Sequence, residues 1–215
     1  MELLHKDILN YASTYTENES KLLMDLDRET WMKTVNPRMI SGKIQGRILS
    51  MFSRMIKPQN ILEIGTFTGY SALCMAEGIN KNGLIHTIDI NEEIVLLAKE
   101  YFQKSKFNKN IKQYIGNAID IIPKIKNNFD IVFIDADKEN YSNYFDLVIK
   151  KVNIGGFIIA DNVLWSGKVT KNIRDKETMA LHEYNNKIMQ SNIVSNLLLP
   201  VRDGLMICQK IKEVD

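Results

Sequence analysis

A chain of 215 residues, 45% hydrophobic and 25% charged, is long enough for one substantial α/β domain with a buried core and too short for two ordinary ones. Its 28 Lys and Arg against 26 Asp and Glu leave a net charge of +2, so bulk charge gives no reason to expect nucleic acid, and only a local basic patch could attract it. Cys74 and Cys208, both in apolar surroundings, read as buried thiols, no apolar run approaches the roughly 20 residues that span a bilayer, and the charged start is no signal peptide, so the chain is read as cytoplasmic, with no membrane partner.

The first 57 residues read as helical and are expected to cover a site or a dimer interface, ahead of an α/β core over 58–215 within a single domain, 1–215. Leu22, Leu23, Leu26 and Met32 recur through 17–32 with charges between them. Ile44, Ile48, Leu49, Phe52 and Ile56 make one apolar helical stripe. Asn36-Pro37 separates these segments and Lys57-Pro58 ends the second. Beyond Pro58, short apolar runs at 61–64, 84–88, 111–115, 131–134 and 157–160 alternate with amphipathic stretches at 70–78, 92–103, 118–125 and 141–151. Runs this short and apolar suit strands buried on both faces of a parallel sheet. A helix over 179–190 follows, then strands at 193–199 and 205–209, which the tight turn Arg202-Asp203-Gly204 makes antiparallel to one another. The pattern predicts an α/β fold: a Rossmann-like, doubly wound, mostly parallel seven-stranded sheet with an antiparallel strand near the C-terminus and helices on both faces.

In such a sheet, ligands lie beyond the carboxyl ends of the strands, near the point where strand order reverses. The first strand runs into Glu63-Ile64-Gly65-Thr66-Phe67-Thr68-Gly69-Tyr70-Ser71. Gly65 and Gly69 allow a tight turn and close approach of backbone to a ligand, though a turn that merely joins strand to helix would look the same. Their G-x-x-x-G spacing differs from the G-x-G-x-x-G that seats a pyrophosphate. Asp89, closing the second strand, can accept hydrogen bonds from two ribose hydroxyls. Glu63 would repel a pyrophosphate but could help hold a sulfonium or amino group, which favours S-adenosylmethionine over a nicotinamide dinucleotide.

Two further strand ends carry oxygen ligands: Asp135, and Asp161 with Asn162. Neighbouring strands lie about 4.8 Å apart, so these groups could share one ion, and their oxygens suit Mg²⁺ or Ca²⁺ rather than Zn²⁺. Asp135 taken alone could instead cap the next helix. Lys138, three residues further on, is either a solvated surface lysine or an amine whose pKa a nearby dication lowers toward that of a general base.

These motifs together resemble the metal-dependent class I S-adenosylmethionine O-methyltransferases of the caffeoyl-CoA and catechol type. The resemblance covers about residues 39–208. It rests on Glu63-Ile64-Gly65 with Gly69-Tyr70-Ser71, Ile88-Asp89, Gly116-Asn117-Ala118, Phe133-Ile134-Asp135-Ala136-Asp137-Lys138, Asp161-Asn162-Val163-Leu164-Trp165 and Asp203-Gly204. It implies cofactor contacts at Ser41, Glu63, Gly65, Thr66, Ser71, Asp89, Ala118 and Asp137, and a divalent metal (Mg²⁺, with Mn²⁺ or Ca²⁺ as alternatives) on Asp135, Asp161 and Asn162. It also implies catalysis by Lys138 with Asp135, an acceptor contact at Trp165, and a homodimer. Ser166 stands where the plant enzymes carry an acceptor-contacting asparagine, and the N-terminal region lacks their CoA-contacting segment. A small catechol-like or phenolic acceptor is therefore expected rather than a CoA thioester. The alternative is a related bacterial branch that methylates hydroxyuridine in transfer RNA, for which Lys104, Lys106, Lys109 and Lys112 would be the candidate basic patch.

Overall fold

The computed structural model describes residues 5–171 and 175–214. Three helices precede the sheet: α1 (Lys6–Thr14), α2 (Lys21–Lys33) and α3 (Gly42–Ile56). Helix α2 begins four residues later than the sequence pattern suggests because Ser20 caps it, its hydroxyl accepting from the Leu23 amide at 3.4 Å. Helix α3 ends where Lys57 turns left-handed (φ 51°) immediately before Pro58.

The remaining elements alternate: β1 (Asn60–Ile64), α4 (Tyr70–Ala76), β2 (Leu84–Asp89), α5 (Ile94–Lys104), β3 (Ile111–Ile115), α6 (Ala118–Ile121), β4 (Phe129–Ile134), α7 (Tyr141–Ile149), β5 (Val152–Ala160), α8 (Lys176–Gln190), β6 (Val194–Leu199) and β7 (Leu205–Lys210). The strands form one seven-stranded sheet in the order β3-β2-β1-β4-β5-β7-β6. Strands β1 to β5 are parallel, and β7 runs antiparallel between β5 and β6. This is the Rossmann-like, doubly wound α/β sheet that the pattern predicts.

Two elements depart from the sequence reading. Helix α6 stops at Ile121 and gives way to a 3₁₀ turn at Ile122–Lys124, since Pro123 has no amide to continue an α-helix. Strand β5 begins at Val152, five residues early. Gly155 and Gly156 interrupt its apolar run, and the register against β4 jumps from Phe129↔Val152 to Ile131↔Phe157.

Alternation along the strands divides the core. Ile61, Ile85, Ile131, Phe133 and Ile159 pack against α2, α3, α4 and α5, while Leu62, Ile64, Val132, Ile134 and Ile158 pack against α6, α7 and α8. Each fully buried side chain of this kind contributes about 1.5–3 kcal/mol. Cys74 and Cys208 are buried free thiols, which burial pushes up to about 12 in pKa. Among the described residues no helix is long and apolar enough to cross a membrane.

Candidate active site

Strand order reverses between β1 and β4, and a cleft of about 1060 Å³ opens across the carboxyl ends of β3, β2, β1, β4 and β5. Its floor at β1 is the turn from Gly65 to Gly69. Gly65 has φ +100°, and a Cβ there would stand 2.0 Å from the carbonyl oxygen of Asp135. Glycine is what lets β1 and β4 turn into the cleft side by side. Gly69 (φ +86°) starts α4, with the Phe102 ring 2.6 Å from where its Cβ would be.

On the β2–β3 side, Asp89 accepts from the backbone amides of Phe67 (2.7 Å) and Asn91 (2.9 Å), one on each carboxylate oxygen. An ionised carboxylate has about four lone-pair sites, so two remain for ligand hydroxyls. Ile90, Gly116 and Ala118 line the same end, and Asn117 starts α6 by accepting from the Ile119 amide at 2.9 Å.

Glu63 does not face the cleft. The strand's alternation turns it, fully buried, toward α4, where its carboxylate accepts from Ser71 Oγ and Thr87 Oγ1, both at 2.5 Å. Thr87 is its register partner on β2, and Thr66 Oγ1 lies 2.6 Å from Thr87 Oγ1. Thr66 and Ser71 line the cleft, and Glu63 stands behind them, bonded to Ser71 directly and to Thr66 by way of Thr87. Burial, with Asp135 and Asp89 nearby, pushes Glu63 up to about 8 despite those two hydrogen bonds.

Strands β4 and β5 bring the oxygen ligands together. The Asp161 amide donates to the Ile134 carbonyl at 2.9 Å, which sets Asp161 beside Asp135. Asp161 is fully buried: Oδ1 accepts from the Asn162 amide (2.7 Å) and Oδ2 from Gln45 Nε2 (2.7 Å), with Arg202 Nη1 at 3.5 Å. Burial and then the Asp135 charge raise its pKa to about 6, against the pull of Arg202 and Gln45. Asn162 holds a left-handed φ of 61° and lines the cleft, its side-chain nitrogen 3.5 Å from Asp203 Oδ2. Among the described residues no group of three or more His, Cys, Asp or Glu could hold a metal ion, and what Asp135, Asp161 and Asn162 offer is two carboxylates and an amide.

Asp135 does not cap the following helix. Its Oδ1 accepts from Lys138 Nζ at 3.0 Å. Lys138 is buried, not a solvated surface lysine. It also donates to Tyr141 Oη (2.7 Å), and Tyr141 Oη donates to the Asp161 carbonyl (3.0 Å). The Trp165 ring centroid is 5.8 Å from Lys138 Nζ, with Trp165 itself at a left-handed φ of 46°. Asp137 accepts from Tyr144 Oη and Asn140 Nδ2 and lines the cleft, as does Ser41 at the start of α3.

Every expected site residue thus lies in or directly behind one cleft. Gln45, Thr87, Tyr141 and Arg202 were not legible as part of it. Tyr141 had a signal, its i+3 spacing from Lys138, and Arg202 had the oddity of a long cation in a tight turn. The four lysines of the candidate basic patch lie elsewhere: Lys104 ends α5, and Lys106, Lys109 and Lys112 surround the start of β3, at the opposite end of the sheet from the cleft.

A model of the O-methyltransferase family matches residues 12–211. Caffeoyl-CoA O-methyltransferase 2 of Populus trichocarpa is 34% identical, with 98% of this chain and 94% of that protein covered. Caffeoyl-CoA O-methyltransferase of Medicago sativa is 32% identical over the same shares, 98% and 94%. Among solved structures, an O-methyltransferase from Bacillus cereus in complex with S-adenosylhomocysteine (SAH) superposes with a TM-score of 0.87 at 26% identity, covering 95% of this chain and 97% of that one. The O-methyltransferase TomG from Streptomyces achromogenes, solved with S-adenosylmethionine, shares the fold with a TM-score of 0.88 at 24% identity, 96% of each chain being covered.

Proposed function

The chain belongs to the O-methyltransferase family and is an S-adenosylmethionine-dependent enzyme; from that premise we propose that it methylates one hydroxyl of a catechol-like acceptor with the help of a divalent cation. The observation that carries this reading is the meeting of Asp135, Asp161, Asn162 and Lys138 at the β4–β5 end of the cleft. An oxygen-only donor set fits a hard cation such as Mg²⁺. When bound, that ion would hold adjacent acceptor oxygens and make the hydroxyl more acidic.

The cofactor site lies at the other end. Asp89 has lone pairs left for ribose hydroxyls, and Ile90 and Ala118 offer apolar surface to a base. Ser71 commits its only proton to Glu63, so it presents acceptor lone pairs to the cleft, which suit an amino group or sulfonium. S-adenosylmethionine supplies the methyl group and leaves as SAH.

At the acceptor end, Tyr141 has its own proton engaged by the Asp161 carbonyl, so its oxygen is fixed as an acceptor toward Lys138. Lys138 is thereby anchored on Tyr141 and Asp135, beside Trp165, and takes the proton of the acceptor hydroxyl. The resulting oxyanion attacks the sulfonium methyl carbon as the carbon–sulfur bond breaks. Alignment of the two substrates in one cleft supplies much of the rate.

Caffeoyl-CoA, the acceptor for which the relatives are named, carries the same vicinal diol as a free catechol. The diol rather than the CoA portion is the group recognised in this reading, since Ser166 follows Trp165 in this chain. Transfer RNA gains no support from lysines at the far end of the sheet. The deciding experiment is transfer of labelled methyl from S-adenosylmethionine to catechols, caffeoyl esters and transfer RNA, with Mg²⁺ and with EDTA. Catechol methylation abolished by EDTA is expected. Full activity after metal removal, or methylation of transfer RNA alone, would overturn the proposal.

A further inference from the structure

The turn between β6 and β7 places Arg202 at φ +54°, a conformation glycine adopts at no cost and arginine does not. The side chain leaves the turn entirely. Its Nη2 donates to the carbonyls of Ile40 (2.7 Å) and Arg38 (3.1 Å), its Nη1 donates to Gln45 Oε1 (3.3 Å), and Nη1 lies 3.5 Å from Asp161 Oδ2. Gln45 closes the circuit by donating to the same Asp161 oxygen at 2.7 Å. One guanidinium therefore joins the end of β5 to the stretch that leads into α3.

That stretch needs a fastening. Residues 35–41 form one lip of the cleft, yet Val35 is 96% exposed and Met39 57% exposed. Within the lip the backbone makes two hydrogen bonds, from Met39 to Asn36 and from Ile40 to Pro37. Ile40 is packed in the core and anchors one end. The carbonyls of Arg38 and Ile40 are the lip's link to the far side of the cleft, and Arg202 is what they bond to.

We propose that Arg202 is a positioning residue that fastens the lip at Arg38 and Ile40 to the carboxylate of Asp161, so that the wall carrying Ser41 and the strand end carrying Asp161 hold the cofactor cleft closed as one unit. The role needs a planar fork with several fixed donors, which lysine lacks. The inference rests on the reading of this cleft as the S-adenosylmethionine site.

Its test uses Arg202→Gly, which removes the guanidinium while suiting the turn's φ, and Arg202→Lys. Amide hydrogen exchange is followed without ligand, and SAH binding by calorimetry. In Arg202→Gly the amides of Met39 and Ile40 should exchange faster and SAH affinity should fall, each by about tenfold, the effect of losing a charge-assisted hydrogen bond. Exchange in β1 and β4 should not change. Arg202→Lys should recover only part of the affinity. A merely structural role would quicken exchange throughout β5, β6 and β7 and leave SAH affinity intact, and unchanged SAH affinity in Arg202→Gly overturns the proposal. Should the unaltered protein fail to bind SAH, the cofactor reading falls. Exchange at Met39 and Ile40 then decides alone, and wild-type rates in both variants overturn the fastening.

Discussion

Lys138 shows how much a single side chain depends on its neighbours. Its Nζ is buried between a carboxylate and a phenol, and the phenol is itself pinned to the backbone of β5 at Asp161. A lysine with such partners cannot swing freely, so its reach into the cleft is set by Tyr141 as much as by its own rotamer. If it takes the acceptor's proton, Lys138→Ala lowers kcat by about 10²–10⁴-fold, the usual yield of general base catalysis. Lys138→Arg fails almost as badly, because guanidinium cannot give up its proton near neutral pH. Turnover rises again with pH in both variants as the acceptor hydroxyl ionises unaided. A pH–rate profile at saturating cofactor and metal is the measurement, and superimposable profiles for wild type and Lys138→Arg would remove Lys138 from the mechanism.

At the scale of elements, the β1–α4 turn is where sequence, backbone and site meet most tightly. The two glycines do different work. Gly69 makes room for α5 at Phe102 and Ala98, whereas Gly65 brings the turn against the backbone of Asp135. Gly42 offers a control: its φ is +73°, and a Cβ there would meet nothing within 4 Å. Gly42→Ala should cost only the left-handed penalty of about 1–2 kcal/mol. Gly65→Ala adds a clash with a carbonyl that cannot rotate away, so β1 and β4 must separate. Urea unfolding should show Gly65→Ala losing clearly more stability than Gly42→Ala, with SAH affinity lost only in the former. Equal losses would mean that the turn relaxes and that glycine at 65 is not required for close approach.

For the molecule as a whole, two buried titratable groups set opposing pH dependences. His86 is held by Tyr114 Oη at 2.9 Å, and burial followed by the charge of Lys112 lowers its pKa from 6.5 to about 4. Its unfolded form binds the extra proton, so stability is full above pH 6.5 and is lost as pH falls toward 4, by at most about 3 kcal/mol. Glu63 has the opposite sign. Its folded pKa of about 8 lies above the unfolded 4.5, so the folded state binds the extra proton and stability falls as pH rises from 4.5 to 8. The two slopes oppose each other between pH 4.5 and 6.5, Asp161, raised from 3.8 to about 6, adds to the fall up to about pH 6, and above 6.5 the slope of Glu63 remains. Glu63→Gln should flatten the fall between pH 6.5 and 8, and His86→Phe should steepen the net fall between 4.5 and 6.5, both read from urea midpoints. An unaltered profile in Glu63→Gln would show the carboxylate ionised in the folded state. Assembly is the other property at this scale. Tyr11, Trp31, Met32, Met51 and Met55 on α1, α2 and α3, with Tyr15 just past α1, leave apolar surface exposed in the region expected to form a homodimer. Sedimentation at micromolar concentration should give twice the chain mass, and Trp31→Glu with Met32→Glu should shift it toward one. A monomeric wild type would count against that interface.

The order of strands and helices beyond Pro58, the oxygen-bearing side chains at strand ends and the glycine turn could all be read along the chain. They are recorded in local periodicity and in residue types that sit within a few positions of one another. Folding decided what depends on distant segments meeting. Parity along β1 and the cover of α4 turn Glu63 away from the cleft, so a carboxylate that reads as a ligand contact bonds to Ser71 and, by way of Thr87, to Thr66. Gln45 reaches Asp161 across 116 residues and Arg202 across 157, separations over which no sequence period survives. Local spacing determines which chemistry is available at a strand end, whereas the direction and partners of each side chain are set by packing between elements far apart in sequence.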